Sequence, residues 1–227
     1  MTQFEFVRPH SASGMITLSE VARISDRLRG GSLAVLPTET GYLLAALATS
    51  MPALEAAFAV KSRNQAQVMH VACASAEMAA SAGVLSPPAL RLLGEFTPGP
   101  LSVIVPKTPL LPDRLVSLNG TVGIRIPDHP ATLQVIRAVG VPLTATSLNV
   151  SGAAPVPIRK LDLHTLNWPQ DDTVYLVEDD SSIRYDTGSS LVKLDGDTIE
   201  VLRQGPVSEA EIRAVASQPS YLESADS

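Results

Sequence analysis

Cys73 is the only cysteine in this sequence of 227 residues. That excludes an intramolecular disulfide and any metal site built from several cysteines. A single free thiol suits a reducing compartment. Its place in the apolar run Val68–Ala74 marks it as a small buried hydrophobe rather than a nucleophile. Aromatic residues make up only 4%, so the core must be built from Leu, Val, Ile and Ala. No apolar run approaches the ~20 residues of a membrane-spanning helix, and Met1–Gly14 carries no apolar leader. A cytoplasmic protein with no membrane partner is expected. Basic character is lacking too: the net charge is −6, so any contact with nucleic acid must rest on a local basic patch. The standard phosphate loop, the dinucleotide Gly-x-Gly-x-x-Gly fingerprint, the His-Glu-x-x-His helix and the Gly-x-Ser-x-Gly elbow are all missing. A nucleotide would have to be held by scattered side chains and strand-end amides.

The apolar fraction is 45% and the charged fraction 18%, an ordinary globular composition at a length that suits one domain. Val21, Ile24 and Leu28 predict a helix over Ser19–Arg29, stopped by Gly30-Gly31. Further helices are expected over Pro52–Val60, Ser75–Ala82, Ser86–Glu95, Ala131–Val139 and Ser208–Ala216. Strands are expected over Ser32–Pro37 (ended by the proline), Val68–Ala72, Leu101–Val105, Thr121–Ile126, Leu143–Thr146, Val174–Glu178, Ser190–Leu194 and Thr198–Arg203. Asp195-Gly196-Asp197 joins the last two as a hairpin. Ala153–Arg159, with two prolines, reads as a connector, and Gln218–Ser227 as a polar tail. Strands alternating with helices indicate an α/β fold, and the hairpin makes its sheet mixed.

Four polar stretches follow apolar strands, where ligands bind in open α/β folds. Pro37-Thr38-Glu39-Thr40-Gly41-Tyr42 reads most simply as a capped turn, although its hydroxyls, carboxylate and phenol suit a polar ligand. Lys61-Ser62-Arg63 would present two cations on one face if extended. They either complement a helix C-terminus and stay solvated or clasp an anion between a mobile point charge and a planar fork. His70, taken alone, reads as a structural histidine. Arg125 lies inside an apolar strand, where a charge needs a partner; Glu39 or Asp128 could pair with it, or a ligand could. In the fourth stretch, Thr144 to Gly152, Ser147 and Asn149 share a face and can donate to phosphate oxygens, unless they merely close a polar turn.

In order along the chain these stretches resemble the threonylcarbamoyl-AMP synthase family, the YrdC/TsaC-like domain. The matching pieces are Pro37-Thr38-Glu39-Thr40-Gly41-Tyr42, Lys61-Ser62-Arg63, His70, Pro98-Gly99-Pro100-Leu101-Ser102, Gly123-Ile124-Arg125-Ile126-Pro127-Asp128-His129, Ser147-Leu148-Asn149-Val150-Ser151-Gly152, Ser189-Ser190-Leu191-Val192-Lys193 and Leu202-Arg203-Gln204-Gly205. Leu43, Leu148 and Ser102 depart from the family pattern, which has glycine, a small residue and threonine there. A YciO-like branch shares Thr40-Gly41-Tyr42 and Thr146-Ser147-Leu148 but lacks the Lys-x-Arg and Ser-x-Asn pairs.

The resemblance implies a single α/β domain over residues 14–207, a YrdC-like twisted mixed β-sheet with flanking helices. A short C-terminal helix and polar tail follow over 208–227. The resemblance also implies a nucleotidyltransferase that joins L-threonine, bicarbonate or CO2 and ATP into threonylcarbamoyl-AMP, with release of pyrophosphate, for the t6A37 modification of tRNA. Lys61 and Arg63 would be catalytic. Lys61, Arg63, Thr121, Ser147, Asn149 and Arg203 would hold ATP. Thr38, Tyr42, His70, Arg125, Ala145 and Ser189 would hold threonine. Mg2+ would assist without protein side chains as ligands. Implied partners are tRNA or double-stranded RNA and a threonylcarbamoyl transferase complex. The other branch implies a non-catalytic RNA-binding protein instead.

Overall fold

The computed structural model describes residues 2–61, 68–113, 119–148 and 156–218. Among them are eleven strands and six α-helices. The strands are β1 (Gln3–Val7), β2 (Ala34–Thr38), β3 (Gly41–Ala45), β4 (Val71–Ala72), β5 (Leu101–Pro106), β6 (Thr121–Arg125), β7 (Leu143–Thr144), β8 (Thr146–Ser147), β9 (Thr173–Val177), β10 (Ser190–Asp195) and β11 (Thr198–Arg203). The helices are α1 (Leu18–Arg29), α2 (Met51–Val60), α3 (Ala76–Ala82), α4 (Pro87–Phe96), α5 (Pro130–Val139) and α6 (Glu209–Ala216).

Local chemistry explains the helix ends. Thr17 caps α1 and exchanges hydrogen bonds with Glu20 in a capping box, and Ser208 and Glu211 do the same for α6; each cap satisfies backbone N–H groups that have no intrahelical partner. Ser50 and Ser75 cap α2 and α3. Ser86 stands at the cap position of α4 without making the bond. Gly140 ends α5 in the left-handed conformation at φ 85°, which costs a glycine little. The expected inward stripe of α1 holds: Val21, Ile24 and Leu28 are buried. Burying each such side chain stabilises by about 1.5–3 kcal/mol.

The strands form two mixed sheets, with orders β1-β9-β2-β3-β8 and β11-β10-β5-β6-β4-β7. Helices α1 and α5 pack together, with α5 against β2 of the first sheet. Helices α3 and α4 pack on β6 and β5 of the second, and α6 packs on α4. One continuous cluster of buried apolar residues runs through both layers. The expected hairpin is present, with β10 and β11 antiparallel and Gly196 at φ 57°.

Several details differ from the sequence expectations. Pro37 does not end its strand. It lies within β2, opposite Tyr42 of β3, and past the residues of β2 that pair with β9, so its missing N–H interrupts nothing on that side. The strand expected over Val68–Ala72 shrinks to Val71–Ala72. The single strand expected over Leu143–Thr146 is two short ones: β7 pairs with β4 in one sheet, and β8 with β3 in the other. The chain thus crosses between sheets at Ala145. Strand β1, parallel to β9 at the sheet edge, and strand β3 were not anticipated. The expected connector is described only from residue 156 and contains a 3-10 turn at Ile158–Lys160. The tail beyond residue 218 lies outside the described residues.

Thr144 stitches the crossing. Its backbone is in β7, its hydroxyl donates to Leu44 O (2.8 Å), and it accepts from Ala46 N (2.9 Å). Removing it strands a buried donor and a buried acceptor. Thr144→Val, similar in shape, should therefore destabilise the protein by about 1–3 kcal/mol, seen as a lower denaturant midpoint in urea unfolding with an unchanged m-value.

Candidate active site

The β2–β3 hairpin places Glu39 at its tip. Thr38 Oγ1 donates to Gly41 O (2.7 Å) and accepts from Thr40 N (3.2 Å), so the turn is held by its own side chain. Gly41 adopts φ 113°, a conformation side chains disfavour. This turn directs Glu39 inward, where it is 0% exposed.

A buried carboxylate requires donors, and Glu39 has several. Arg125 Nη2 donates to Oε1 (2.5 Å) and Asp128 N to Oε2 (2.8 Å). Arg125 Nη2 also reaches Thr40 Oγ1 (3.1 Å). Of the two pairings open to Arg125 in the sequence, the one to Glu39 forms. It ties the hairpin of one sheet to β6 of the other.

Residues 178–189, which join β9 to β10, cross over this hairpin. Arg184 N and Tyr185 N both donate to Glu39 O (2.9 and 3.2 Å), and Arg184 Nη2 donates to Asp128 Oδ2 (2.5 Å). The Tyr42 hydroxyl donates to Asp180 Oδ1 (2.7 Å) and accepts from Asp179 N (3.0 Å). Burial, and next Asp180, push the Tyr42 phenol far above its usual pKa. Tyr42 thus anchors the crossing segment through its oxygen. His129 Nε2 lies 3.1 Å from Asp179 Oδ2, and its buried Nδ1 has no hydrogen-bond partner among the described residues.

The second sheet supplies a shared face. Thr121, Gly123 and Arg125 alternate along β6 and point the same way. A Cβ on Gly123 would lie 2.5 Å from His70 Cδ2, so the imidazole packs on that glycine, on the side of Arg125. Ala145 N donates to His70 O (2.7 Å). Ser102 of β5 is directly opposite Arg125, and its hydroxyl is 2.8 Å from Ser189 Oγ. Arg203 Nε donates to Ser189 O (3.0 Å), with its guanidinium against Gly188. Burial and the positive charge of Arg125 lower the Arg203 pKa. The register puts β5 and β10 between Arg125 and Arg203, and the Ser102–Ser189 contact bridges that gap. Among the described residues Arg125 Nε is buried with no partner, and the Arg203 guanidinium donates to a carbonyl rather than a carboxylate. Donors left over in this way make a place for an anion.

The structure thus links Thr38, Tyr42, His70, Arg125, Ala145, Ser189 and Arg203 through short contacts, with Thr121 on the same face of β6. Ser147 pairs with Leu43 on β3, next to Leu148, whose N–H donates to Tyr42 O (2.9 Å). Lys61 forms the C-cap of α2, ahead of the segment leading to His70. Arg63 and Asn149 lie outside the described residues. The sequence reading overlooked the Asp179–Asp180 pair and Arg184. The rule used elsewhere, polar residues after an apolar strand, would have found that acid pair at the end of β9.

Residues 26–205 match the Sua5/YciO/YrdC family model, described as telomere recombination, and the chain belongs to this family. A Mycobacterium tuberculosis H37Rv protein, provisionally named a threonylcarbamoyl-AMP synthase, is 33% identical over 189 residues, covering 83% of this chain and 85% of its own. The Bacillus subtilis threonylcarbamoyl-AMP synthase is 30% identical over 200 residues, 86% of this chain and 56% of that enzyme. Among solved structures, Pyrococcus abyssi Sua5 in complex with L-threonine is 26% identical with a TM-score of 0.79, covering 93% of this chain and 60% of that one. Escherichia coli YciO has the same fold, with a TM-score of 0.79 at 21% identity, over 93% of this chain and all of that one. The chain thus spans well under two thirds of the Bacillus and Pyrococcus proteins.

The buried His129 gives the site a pH signature. Burial lowers its pKa, against the pull of Asp179, Asp128 and Glu39. The unfolded chain then takes up this proton more readily, so the stability His129 contributes is present above its usual 6.5 and lost as pH falls through the folded value. Asp179, also lowered in pKa, loses its contribution only at more acid pH, below the usual 3.8; burial opposes its shift, and hydrogen bonds from Ser181 and His129 outweigh that. Unfolding free energy should therefore fall from about pH 7.5 to about pH 5.5 more steeply in the wild type than in His129→Gln, as read by urea denaturation at each pH.

Proposed function

We infer that the protein is an L-threonylcarbamoyladenylate synthase, a nucleotidyltransferase that makes threonylcarbamoyl-AMP and pyrophosphate from L-threonine, bicarbonate or CO2, and ATP. The observation that carries this reading is the polar row that runs from Arg125 through Ser102, opposite it, to Ser189 and Arg203, beside the face bearing His70. Such a set suits an amino acid on one side and a nucleotide on the other. The names of the relatives agree with it.

In this reading Thr38, Tyr42, His70, Arg125, Ala145 and Ser189 surround threonine. Tyr42 would do so by its ring and backbone, since its oxygen is engaged by the crossing segment. Lys61, Arg63, Thr121, Ser147, Asn149 and Arg203 hold ATP. The threonine amine forms a carbamate, either from bicarbonate with loss of water or from CO2 with loss of a proton. An oxygen of that carbamate attacks the α-phosphorus, the bond from that phosphorus to the bridging oxygen breaks, and pyrophosphate leaves with the electron pair. The protein's task is to bring two anions together and offset their charge, which falls to Lys61, Arg63 and Arg203. Among the described residues no cluster of three or more His, Cys, Asp or Glu side chains is placed to hold a metal. Mg2+ would then ride on the nucleotide phosphates, and no step here is assigned to it.

The product would serve t6A37 formation in tRNA, through a threonylcarbamoyl transferase complex in the cytoplasm. The working unit would be residues 14–207, with 208–227 as an appendage.

A non-catalytic, YciO-like RNA-binding protein is the second reading. It is favoured by Thr40-Gly41-Tyr42 and by Leu148, which is buried where the synthase pattern has a small residue. Pyrophosphate release measured across all combinations of the three substrates separates the two. The synthase reading expects release only when all three are present, and a loss of about 100-fold or more in Lys61→Ala. Turnover without threonine, or none with all three substrates, counts against it. A steeply salt-dependent affinity for tRNA with no adenylate chemistry supports the second reading.

A further inference from the structure

The hydroxyl pair between Ser102 and Ser189 has a polarity that the surrounding burial decides. Their oxygens are 2.8 Å apart. Each hydroxyl has one proton, so only one of the two donates within the pair. Ser102 lies in β5, flanked by β10 and β6, and is 0% exposed. Among the described residues its side chain makes no other hydrogen bond. If Ser189 were the donor, the Ser102 proton would be stranded in the sheet interior, at a cost of the kind borne by any buried unpaired donor. Ser189 stands just ahead of β10, at the strand end beside Gly188 and the Arg203 guanidinium. Ser189 is itself only 3% exposed, so a proton left on it is held beside Arg203 for an acceptor that enters the site.

We propose that Ser102 is a positioning residue: it donates to Ser189, and so leaves the Ser189 proton to be donated to a hydrogen-bond acceptor, the carboxylate of the amino-acid substrate. The neighbours agree. Ser102 and Arg125 are cross-strand partners on one face, and Arg125 Nε is an unused donor. Arg203 holds the Ser189 carbonyl in place. Donors from Ser189, Arg125 and Arg203 on this side of the site match the two oxygens of a carboxylate better than the oxygen and NH2 of a carboxamide. The inference rests on the threonine-binding reading and specifies which end of the substrate Ser189 reads.

The test is steady-state pyrophosphate release with L-threonine as substrate and L-threoninamide as competitor, in wild type, Ser102→Ala, Ser102→Thr and Ser189→Ala. In Ser102→Ala the Ser189 hydroxyl is free to turn. The KM for threonine should rise about tenfold or more, the advantage of threonine over threoninamide should shrink, and kcat and the KM for ATP should hold. Ser102→Thr keeps the hydroxyl and should restore the preference. Ser189→Ala should lose it, and the double alanine variant should add nothing further. An unchanged preference in Ser102→Ala overturns the proposal, and so does a rise in the ATP KM that matches the rise for threonine. A wild type that shows no threonine-dependent release overturns the proposed function instead.

Discussion

The buried ion pair between Glu39 and Arg125 is the constraint on which the rest of the site depends. Each partner comes from a different sheet, and neither charge is tolerable alone in that environment. Removing one partner of such a pair typically costs about 3–5 kcal/mol, because the other is left buried and uncompensated. Glu39 also accepts from Asp128 N through its second carboxylate oxygen, and from Arg184 N and Tyr185 N through its carbonyl. One residue at a hairpin tip therefore sets the placement of β6, of the turn after it, and of the segment that crosses between sheets. The pair also sets the electrostatics. It offsets one guanidinium, while a second, that of Arg203, is held by the Ser189 carbonyl with no carboxylate beside it among the described residues.

This arrangement explains how an acidic protein can still receive anions. The net charge is −6, yet cations converge where strands of the two sheets end. Long-range charge bears on solubility and encounter, whereas a site depends on what lies within a few ångströms. The fold serves this by crossing the chain from sheet to sheet at Ala145, whose N–H also fixes the His70 carbonyl.

Helices were the most legible part of the sequence. Capping residues and apolar spacing act within one or two turns, so Thr17 with Glu20, and Ser208 with Glu211, could be read locally. The hairpin at Gly196 was equally local. Strand β1 was not legible, because five residues at a sheet edge carry little periodic signal and gain their place only from pairing with the distant β9. Pro37 misled for a related reason: its missing N–H matters only if a partner strand lies on that side, which is tertiary information. For the site, the sequence motifs brought forward residues such as Arg125, Ser189 and Arg203, whose contacts the structure supplies. They did not reveal that the Tyr42 oxygen is engaged by Asp179 and Asp180, or that Ser102 stands behind Ser189. Contacts between side chains far apart in sequence leave no spacing to read, and a serine at a strand start looks like any other.

Cys73 gives this architecture an internal reporter. The thiol follows β4 directly, its own N–H is bonded to Arg125 O (2.9 Å), and burial pushes its pKa up to about 12. In the closed protein it is shielded and almost wholly protonated, so a thiol-directed reagent finds no thiolate to attack. Labelling can proceed only when the wall between β4 and β6 opens. The rate of that reaction is thus a clock for local opening at the strand that carries Arg125, running in the unmodified chain with no second cysteine to confuse it.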